Sequence, residues 1–185
     1  MFNIIKGKNI IFRKATQDDL DSIFQNVWSD ENIYKYLFIK PALTKEEAQE
    51  KLDRTIAFQK ENLAYFVALK ETNEVIGFVG LKEDSPKIYS ETGICIASKC
   101  QGKGLGKELM TLLLDLTFNK LKAKRLIYAH MKHNQKSKNL CLSFNFKYYE
   151  SNEETREYDN YKVICDYYYL DYEDYEKEYK YKNKE

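Results

Sequence analysis

A glycine-rich segment followed directly by an amphipathic pattern limits the fold of this chain more than any other feature. The segment consists of Gln101, Gly102, Lys103, Gly104, Leu105 and Gly106. Leucines then recur with the spacing of one helix face, at positions 105, 109, 112, 113 and 116. A strand that turns into a helix through glycines leaves unpaired amide N–H groups at the helix N-terminus, where phosphate binds well. With Lys103 and Lys107 adding positive charge, the pattern predicts a phosphate-binding loop.

Two common nucleotide-binding patterns do not match this segment. A Walker A sequence needs a glycine five residues before a Gly-Lys pair, but Gln101 stands five residues before Gly106. It also needs serine or threonine after the lysine, where this chain has Glu108. A dinucleotide fingerprint that starts at Gly102 needs glycine at its sixth position, which is Lys107. Two interpretations remain, a site for another phosphate ligand and a glycine-rich turn that only ends a strand.

Hydrophobic periodicity along the rest of the chain predicts alternating strands and helices. Predicted strands cover residues 10–13, 65–69, 75–81, 91–96, 125–131, 146–149 and 162–170. Predicted helices begin after Thr16 and cover residues 44–56, 105–121 and 137–144. The last of them is expected to end at Asn145 in the left-handed conformation, and residues 83–87 are expected to form a loop. This order indicates an α/β fold with a mixed sheet of about seven strands and about four helices.

Charge and composition exclude several classes of protein. The formal net charge of +1 supplies no basic surface, so we expect no nucleic-acid partner. No stretch approaches the roughly 20 apolar residues that span a bilayer, and residues 1–16 lack a signal-peptide core. We therefore expect a cytoplasmic protein without a membrane partner. The scattered cysteines predict reduced thiols, and their spacing from the histidines matches no zinc pattern, so no metal is expected.

The length of 185 residues predicts one domain, over residues 1–172, followed by a charged, tyrosine-rich tail over residues 173–185. Around that boundary, Tyr172, Tyr175 and Tyr179 share one helical face. This spacing favours a terminal helix that docks through its tyrosines over a tag for a partner.

The glycine-rich loop resembles the cofactor-binding motif of the GNAT superfamily of acyl-CoA N-acetyltransferases. That motif is Gln/Arg-x-x-Gly-x-Gly/Ala, which the chain matches at Gln101, Gly104 and Gly106. Residues 75–81 resemble the strand that precedes the catalytic strand of this superfamily. Matches to the RimJ/RimL-like branch are Glu91-Thr92-Gly93-Ile94, Asn134, Ser137 and Asn145-Phe146. The resemblance covers about residues 9–172 and implies a mostly antiparallel sheet that is splayed between its two central strands.

Acetyl-CoA is the co-substrate that this resemblance implies. The amides of residues 101–106 are then expected to bind its pyrophosphate, with Lys103 and Lys107 nearby. Its pantetheine arm is expected to pair with the backbone of Ile94, Cys95 and Ile96. A backbone N–H in that strand is expected to polarise the thioester carbonyl, and the acceptor amine attacks directly in a ternary complex.

Three polar residues are candidates for the chemistry. Glu91 is the candidate general base for the amine, with an ordinary carboxylate at the start of a strand as the alternative. Asn134 and Ser137 match positions that bind the pantetheine and the sulfur end of the cofactor, so Ser137 is also a catalytic candidate. Helix capping is the alternative interpretation of both residues.

The chain departs from the family pattern at one position and leaves its acceptor site open. Many members carry a general-acid tyrosine seven residues after the asparagine, where this chain has Cys141. Cys141 lies in a helix that looks buried, without a recognisable histidine partner, which argues against a covalent acyl-enzyme. The candidates for lining the acceptor pocket are Trp28, Tyr34, Tyr36 and Phe38, which are otherwise expected to be core residues.

The sequence thus predicts an N-acetyltransferase that acts on a primary amine. The amine belongs to a small molecule, an antibiotic-type compound or a protein N-terminus, and the protein is a monomer or a homodimer. Two alternatives are a catalytically idle acyl-CoA-binding or interaction module of the same fold, raised by Cys141, and an RNA-associated basic module, which the near-neutral charge disfavours.

Overall fold

The structure, a computed structural model, describes residues 2–179. Within that range the chain forms eight β-strands and six α-helices. The strands are β1 (Ile4–Lys6), β2 (Ile10–Arg13), β3 (Leu63–Leu69), β4 (Val75–Ser85), β5 (Ile88–Ile96), β6 (Arg125–Met131), β7 (Lys147–Arg156) and β8 (Tyr161–Asp171). The helices are α1 (Leu20–Ile23), α2 (Glu31–Tyr34), α3 (Lys45–Glu61), α4 (Leu105–Leu114), α5 (Gln135–Leu142) and α6 (Tyr172–Tyr179). A π-helical segment extends α1 over Phe24–Trp28, and another extends α4 over Asp115–Lys120.

The strands form one open sheet in the order β1-β2-β3-β4-β5-β6-β8-β7. The pair of β5 with β6 is parallel and runs from Ile88 opposite Arg125 to Ser90 opposite Ile127. The pairs of β1 with β2, β2 with β3, β3 with β4, β6 with β8 and β7 with β8 are antiparallel. This arrangement confirms the predicted mixed, mostly antiparallel α/β fold, with a strand count slightly higher than expected. The predicted splay between the central strands stays a prediction.

The expectation of a loop over residues 83–87 is wrong. Strand β4 continues to Ser85 and β5 begins at Ile88, so a two-residue turn of Pro86 and Lys87 joins them. Lys87 has φ +67, the positive φ that the second central residue of a type II turn adopts after a proline. The polar residues that were predicted to form a loop are the solvent-exposed end of the long strand β4.

Contacts divide the chain into two compact units that share β5. Unit 1 contains residues up to Lys82 together with Thr92–Leu113. Its core joins the first helices to the sheet, and it includes Ile23, Val27, Trp28, Ile33, Ala48, Leu52, Phe66 and Val75. Thr16 opens the first helical region as predicted, because the carboxylate of Asp19 accepts a hydrogen bond from Thr16 N at 2.8 Å. Thr44 Oγ1 likewise accepts from Glu47 N at the start of α3, at 3.2 Å.

Unit 2 contains Glu83–Glu91 and the chain from Leu114 onward. Its buried side chains come from β6, β8, α5 and the end of the long helical region, and they include Phe118, Leu126, Tyr128, Cys141, Phe146 and Leu170. Helix α5 is followed by Asn145 with φ +60, which confirms the predicted left-handed residue at that point.

Helix α6 packs within unit 2 through its tyrosines. Tyr175 is buried, its ring stacks on Phe118 with centroids 4.8 Å apart, and Asn119 Nδ2 donates to its hydroxyl at 2.8 Å. Tyr179 stacks on Tyr175 at 5.7 Å. This contact agrees with the interpretation of a docked terminal helix. The remaining part of the predicted tail, residues 180–185, lies outside the described range.

Candidate functional site

Two glycines of the glycine-rich loop have backbone conformations that other residue types rarely adopt. Gly102 has φ +76 and Gly104 has φ +80, a region that side chains with a Cβ rarely adopt. A Cβ added at Gly106 would meet no atom within 4 Å, so open space lies next to the backbone there. The first two glycines are therefore required by conformation, and the third leaves the approach to the helix unobstructed.

The amides of this loop are left for a ligand. Lys107 N and Glu108 N both donate to Gly104 O, at 3.1 Å each. Within the part of the chain that the structure describes, the amides of residues 102–106 have no recorded acceptor. Helix α4 begins at Leu105, so its dipole places partial positive charge at these amides. Because Lys103 is exposed beside them, the loop is a suitable receptor for an anion such as a pyrophosphate.

Glu108 fixes the start of α4 to the N-terminal part of unit 1. Its Oε1 accepts from Asn9 N at 2.7 Å and from Ile10 N at 3.1 Å, and its Oε2 accepts from Asn9 Nδ2 at 2.8 Å. Burial raises the pKa of Glu108, but these hydrogen bonds outweigh burial and lower the pKa overall. The carboxylate is thus satisfied by amides and anchors the helix that carries the loop.

The strand residues predicted to face the pantetheine arm belong to the end of β5. Gly77 on β4 approaches this segment so closely that a Cβ there would lie 2.1 Å from Cys95 O. Ala97 N, which follows the strand, donates to Ile76 O at 2.7 Å. Burial raises the pKa of the Cys95 thiol to about 12, so this side chain is a neutral neighbour of the backbone. Gln101 Nε2 donates to Ile96 O at 3.0 Å and ties the strand to the loop.

Glu91 lies in the part of β5 that belongs to unit 2. Its Oε1 accepts a hydrogen bond from Ala129 N on β6 at 3.4 Å, and the side chain is partly exposed. A carboxylate held by a backbone amide is oriented and stays an acceptor. This contact is compatible with both predicted roles, general base and simple orienting carboxylate.

Asn134 and Ser137 lie at the start of α5, also in unit 2. Asn134 is the N-cap residue, and its Oδ1 accepts from Ser137 N at 3.2 Å. The interpretation of Asn134 as a helix cap is therefore confirmed, and the cap uses its side-chain oxygen. Its side-chain nitrogen has no hydrogen-bond partner among the described residues. Ser137 Oγ lies 2.7 Å from the hydroxyl of Tyr128 on β6.

Tyr128 is a residue that the sequence analysis did not single out. It is 1% exposed, and burial followed by the charge of Glu91 raises the pKa of its phenol. The sequence signal is a tyrosine at an inward position of a strand, where a buried hydroxyl needs a partner. The identity of that partner, Ser137, depends on how α5 packs on β6 and is not encoded in the spacing.

Cys141 is a buried thiol rather than an activated one. Its Sγ donates to Lys138 O at 3.3 Å, one turn earlier in α5. Burial raises the pKa of Cys141 to about 12, which leaves almost no thiolate at neutral pH. This geometry agrees with the sequence argument against a covalent acyl-enzyme.

The four aromatic candidates for the acceptor pocket differ in their surroundings. Trp28 is buried in the core of unit 1 and packs edge-on against Phe66, with ring centroids 6.1 Å apart. Tyr34 and Tyr36 are half-buried, and Phe38 is 43% exposed. Trp28 therefore has the environment of a core residue, and Phe38 is the most accessible of the four.

A cavity of about 680 Å³ lies against α3 in unit 1, and none of the four aromatic candidates is among its lining residues. Its lining residues are Ile39, Lys40, Pro41, Ala42, Glu47, Glu50, Lys51, Arg54, Thr55 and Phe58. Lys51 is a second residue that the sequence analysis missed. Its Nζ lies 5.0 Å from the ring centroid of Trp28 and donates to Lys40 O at 2.5 Å. Burial and then the charge of Arg54 lower the pKa of Lys51 to about 8.

Metal sites, membrane-spanning helices and disulfides were each expected to be absent. Within residues 2–179, no three His, Cys, Asp or Glu side chains are grouped so that they could hold a metal ion. No helix in that range combines the length and apolarity that crossing a membrane requires. Cys95, Cys100, Cys141 and Cys165 are all free.

Comparison with known proteins identifies the class to which this fold and loop belong. Residues 9–147 match the acetyltransferase (GNAT) domain family. The uncharacterized N-acetyltransferase p20 of Bacillus licheniformis is 28% identical over 143 residues, which cover 76% of this chain and 80% of the relative. The uncharacterized N-acetyltransferase YoaA of Bacillus subtilis is 23% identical over 150 residues, which cover 80% and 84% of the two chains.

Solved structures share the fold at low sequence identity. A GNAT-family acetyltransferase from Bacillus anthracis has a TM-score of 0.77 at 19% identity and covers 92% of this chain and 99% of its own. The ribosomal-protein-S5-alanine acetyltransferase of Vibrio fischeri has a TM-score of 0.73 at 17% identity, with coverages of 92% and 97%. The chain belongs to the GNAT family of acetyltransferases, and its predicted resemblance to that family is confirmed. Membership implies acetyl transfer from acetyl-CoA.

Proposed function

We propose that the protein transfers an acetyl group from acetyl-CoA to a primary amine by direct attack in a ternary complex. The acceptor is a small amine, an antibiotic-type amine or a protein N-terminus. The observation that carries this proposal is the loop of residues 101–106 at the start of α4, where the amides of residues 102–106 have no acceptor among the described residues, in a chain of the GNAT family. An idle acyl-CoA-binding module of the same fold is the second candidate, and Cys141 at the position of the usual acid is what favours it.

Coenzyme binding rests on the backbone of unit 1. In the proposal the amides of residues 102–106 hold the pyrophosphate, and Lys103 and Lys107 screen its charge from the exposed side. The backbone of Ile94, Cys95 and Ile96 pairs with the pantetheine arm. When bound, acetyl-CoA supplies an activated acyl group with a thiol leaving group.

Glu91 is proposed to accept the proton that the amine must lose. An α-amino group with a pKa near 8 is roughly one-tenth neutral at pH 7, whereas a lysine-like amine with a pKa near 10.4 is below about one part in a thousand. A base therefore matters more for the second kind of acceptor. The hydrogen bond from Ala129 N orients the carboxylate of Glu91.

Ser137 and Asn134 are proposed to bind the thioester end of the coenzyme. Asn134 uses its oxygen as the cap of α5, so its Nδ2 hydrogens remain for a pantetheine carbonyl. The hydroxyl of Ser137 is proposed to donate to the sulfur as the carbon–sulfur bond breaks. For acceptor binding, Trp28, Tyr34, Tyr36 and Phe38 remain the proposed lining residues. Lys51, on the wall of the cavity against α3, is a further candidate.

The first experiment separates the enzyme from the idle module. Purified protein is mixed with acetyl-CoA and a panel of a lysine ester, an aminoglycoside and peptides with free N-termini, and thiol release is recorded. Release that depends on one acceptor supports the transferase. Saturable binding of acetyl-CoA without release on any acceptor supports the idle module.

The second experiment tests the loop itself. Gly106→Asp adds a negative charge in open space at a helix N-terminus, where a carboxylate favours the fold. The same charge repels a pyrophosphate, so we expect acetyl-CoA affinity to fall by at least about fivefold, the effect of roughly 1–4 kcal/mol between charges near 4 Å. Gly106→Asn is the matched control, with the same shape and no charge. Equal affinity of wild type and Gly106→Asp for acetyl-CoA would rule out the loop as the pyrophosphate site.

A further inference from the structure

Tyr128 and Ser137 form a hydrogen-bonded pair inside unit 2. Tyr128 is fully buried on β6, and its hydroxyl oxygen lies 2.7 Å from Ser137 Oγ. Ser137 is itself held at the start of α5, because its amide donates to Asn134 Oδ1 at 3.2 Å. Within the described residues no other partner is recorded for either hydroxyl. The pair therefore links the middle of a strand to the first turn of a helix.

The direction of this hydrogen bond follows from the difference in burial, because Tyr128 is 1% exposed whereas Ser137 is half-buried. Burial, and then the neighbouring charge of Glu91, raise the pKa of the Tyr128 phenol, which stays protonated. A buried O–H that stays protonated needs an acceptor, and Ser137 Oγ is the acceptor at hand. Tyr128 thus donates and Ser137 accepts, so the single hydrogen of Ser137 is left to point elsewhere.

The same environment excludes Tyr128 as a proton source. A phenolate at this position would be buried and would face the charge of Glu91, so loss of the proton is costly. Cys141 does not offer a substitute, because its thiol donates to Lys138 O and stays neutral. The contribution of Tyr128 is therefore to orient another group.

We infer that Tyr128 is a positioning residue that holds Ser137 Oγ so that the serine hydrogen donates to the coenzyme sulfur. This inference rests on the proposed function. In the reaction the amine nitrogen forms a bond to the acetyl carbon as the carbon–sulfur bond breaks, and the electron pair of that bond goes to sulfur. The proton lost by nitrogen passes to Glu91 and ultimately to the thiolate through solvent. Ser137 contributes a hydrogen bond to the sulfur, and Tyr128 keeps its own proton throughout.

The test begins with Tyr128→Phe, which removes the hydroxyl and keeps the ring. Because one neutral hydrogen bond is lost, we expect kcat to fall by roughly 3- to 10-fold with an unchanged KM for acetyl-CoA. Tyr175→Phe is the matched control. Tyr175 is also buried and its hydroxyl has one side-chain partner, Asn119, but it lies on α6. The control is expected to lose comparable stability and to keep kcat.

A double-mutant cycle with Ser137→Ala then asks whether Tyr128 acts through the serine. We expect Tyr128→Phe to have no further effect on kcat in the Ser137→Ala background. Equal losses in both backgrounds, or an unchanged kcat in Tyr128→Phe, would overturn the inference. These results differ from failure of the proposed function, in which the wild type itself releases no thiol with any acceptor.

Discussion

Two regions of the molecule differ in the groups that make their hydrogen bonds. They are the loop of residues 101–106 and the cluster of Glu91, Tyr128 and Ser137. Residues 102–104 of the loop are exposed, and the donors are the backbone amides of residues 102–106, which have no acceptor among the described residues. The cluster is half-buried or buried. The hydroxyls of Tyr128 and Ser137 are hydrogen-bonded to each other, and the Glu91 carboxylate accepts from the amide of Ala129. Backbone donors do not depend on which side chain is present, whereas the cluster depends on each functional group. The loop should therefore respond to added charge and the cluster to removal of single atoms.

The largest effect is expected from Glu91→Gln, which keeps the hydrogen bond from Ala129 N and removes the base. Loss of a general base costs about 10²–10⁴-fold in rate. We expect a loss of at least about 100-fold in kcat with lysine-like amines and a smaller loss with α-amines, measured across pH 6–9.

Glu83→Gln is the matched control, because Glu83 Oε1 accepts from Lys87 N at 2.9 Å in the same hairpin. If Glu91→Gln were no slower than this control on every amine, Glu91 would be an orienting carboxylate and the cluster would lack a base.

A medium effect is expected from replacing the two lysines at the loop. Lys103 and Lys107 are exposed, so Lys103→Ala with Lys107→Ala should leave thermal stability unchanged. Each exposed charge is worth up to about 1 kcal/mol, so acetyl-CoA affinity should fall by roughly 3- to 20-fold at low salt. The difference should shrink at 0.5 M salt, where screening is strong. An equally large difference at both salt concentrations would contradict a charge-based role for these lysines.

The smallest effect is expected on stability, from Glu108→Gln. Glu108 has a pKa below its ordinary value, so it stabilises the folded state above about pH 4.3, and this contribution is lost as the pH falls through the folded-state pKa. Weakening its bonds to Asn9 and Ile10 should cost about 1 kcal/mol, or about 2–4 °C in Tm at pH 7.

Thermal unfolding of wild type and Glu108→Gln between pH 3 and 7 checks this prediction. The two Tm values should converge at the acid end. A gap that stays constant with pH would mean that the carboxylate charge is not what anchors α4.

The sequence predicted those elements whose local pattern agrees with their packing. Arg125–Met131 forms the predicted strand because its apolar residues are inward-facing in the observed register. Asn145 takes the predicted left-handed conformation because asparagine adopts it more readily than most residues other than glycine. Strand β1 was missed, since three residues next to Lys6 and Lys8 give no periodicity. The ends of β4 and β7 were missed because exposed strand residues are as polar as a loop.

Residues of the candidate site could likewise be predicted where a local sequence pattern marks them, but not where packing brings them together. Glycine conformations are written into the sequence, so Gly102 and Gly104 could be identified from spacing. The partnership of Tyr128 with Ser137 arises from the docking of α5 on β6, and no local pattern records it. Lys51 was missed for a similar reason, because its pKa is lowered first by burial, with Nζ 5.0 Å from the ring centroid of Trp28, and only second by the charge of Arg54.

The four cysteines, of which Cys95 is half-buried and the others are buried, bear on how turnover of this protein can be recorded. Burial raises the pKa of Cys95 and Cys141 to about 12 and that of Cys165 to about 11, and Cys100 is only 5% exposed. At pH 8 a thiol with a pKa of 12 is about one ten-thousandth thiolate, the form that reacts with aromatic disulfide reagents. The native chain should therefore give almost no background colour in a continuous assay for free coenzyme A, and a sudden rise in that background would report unfolding.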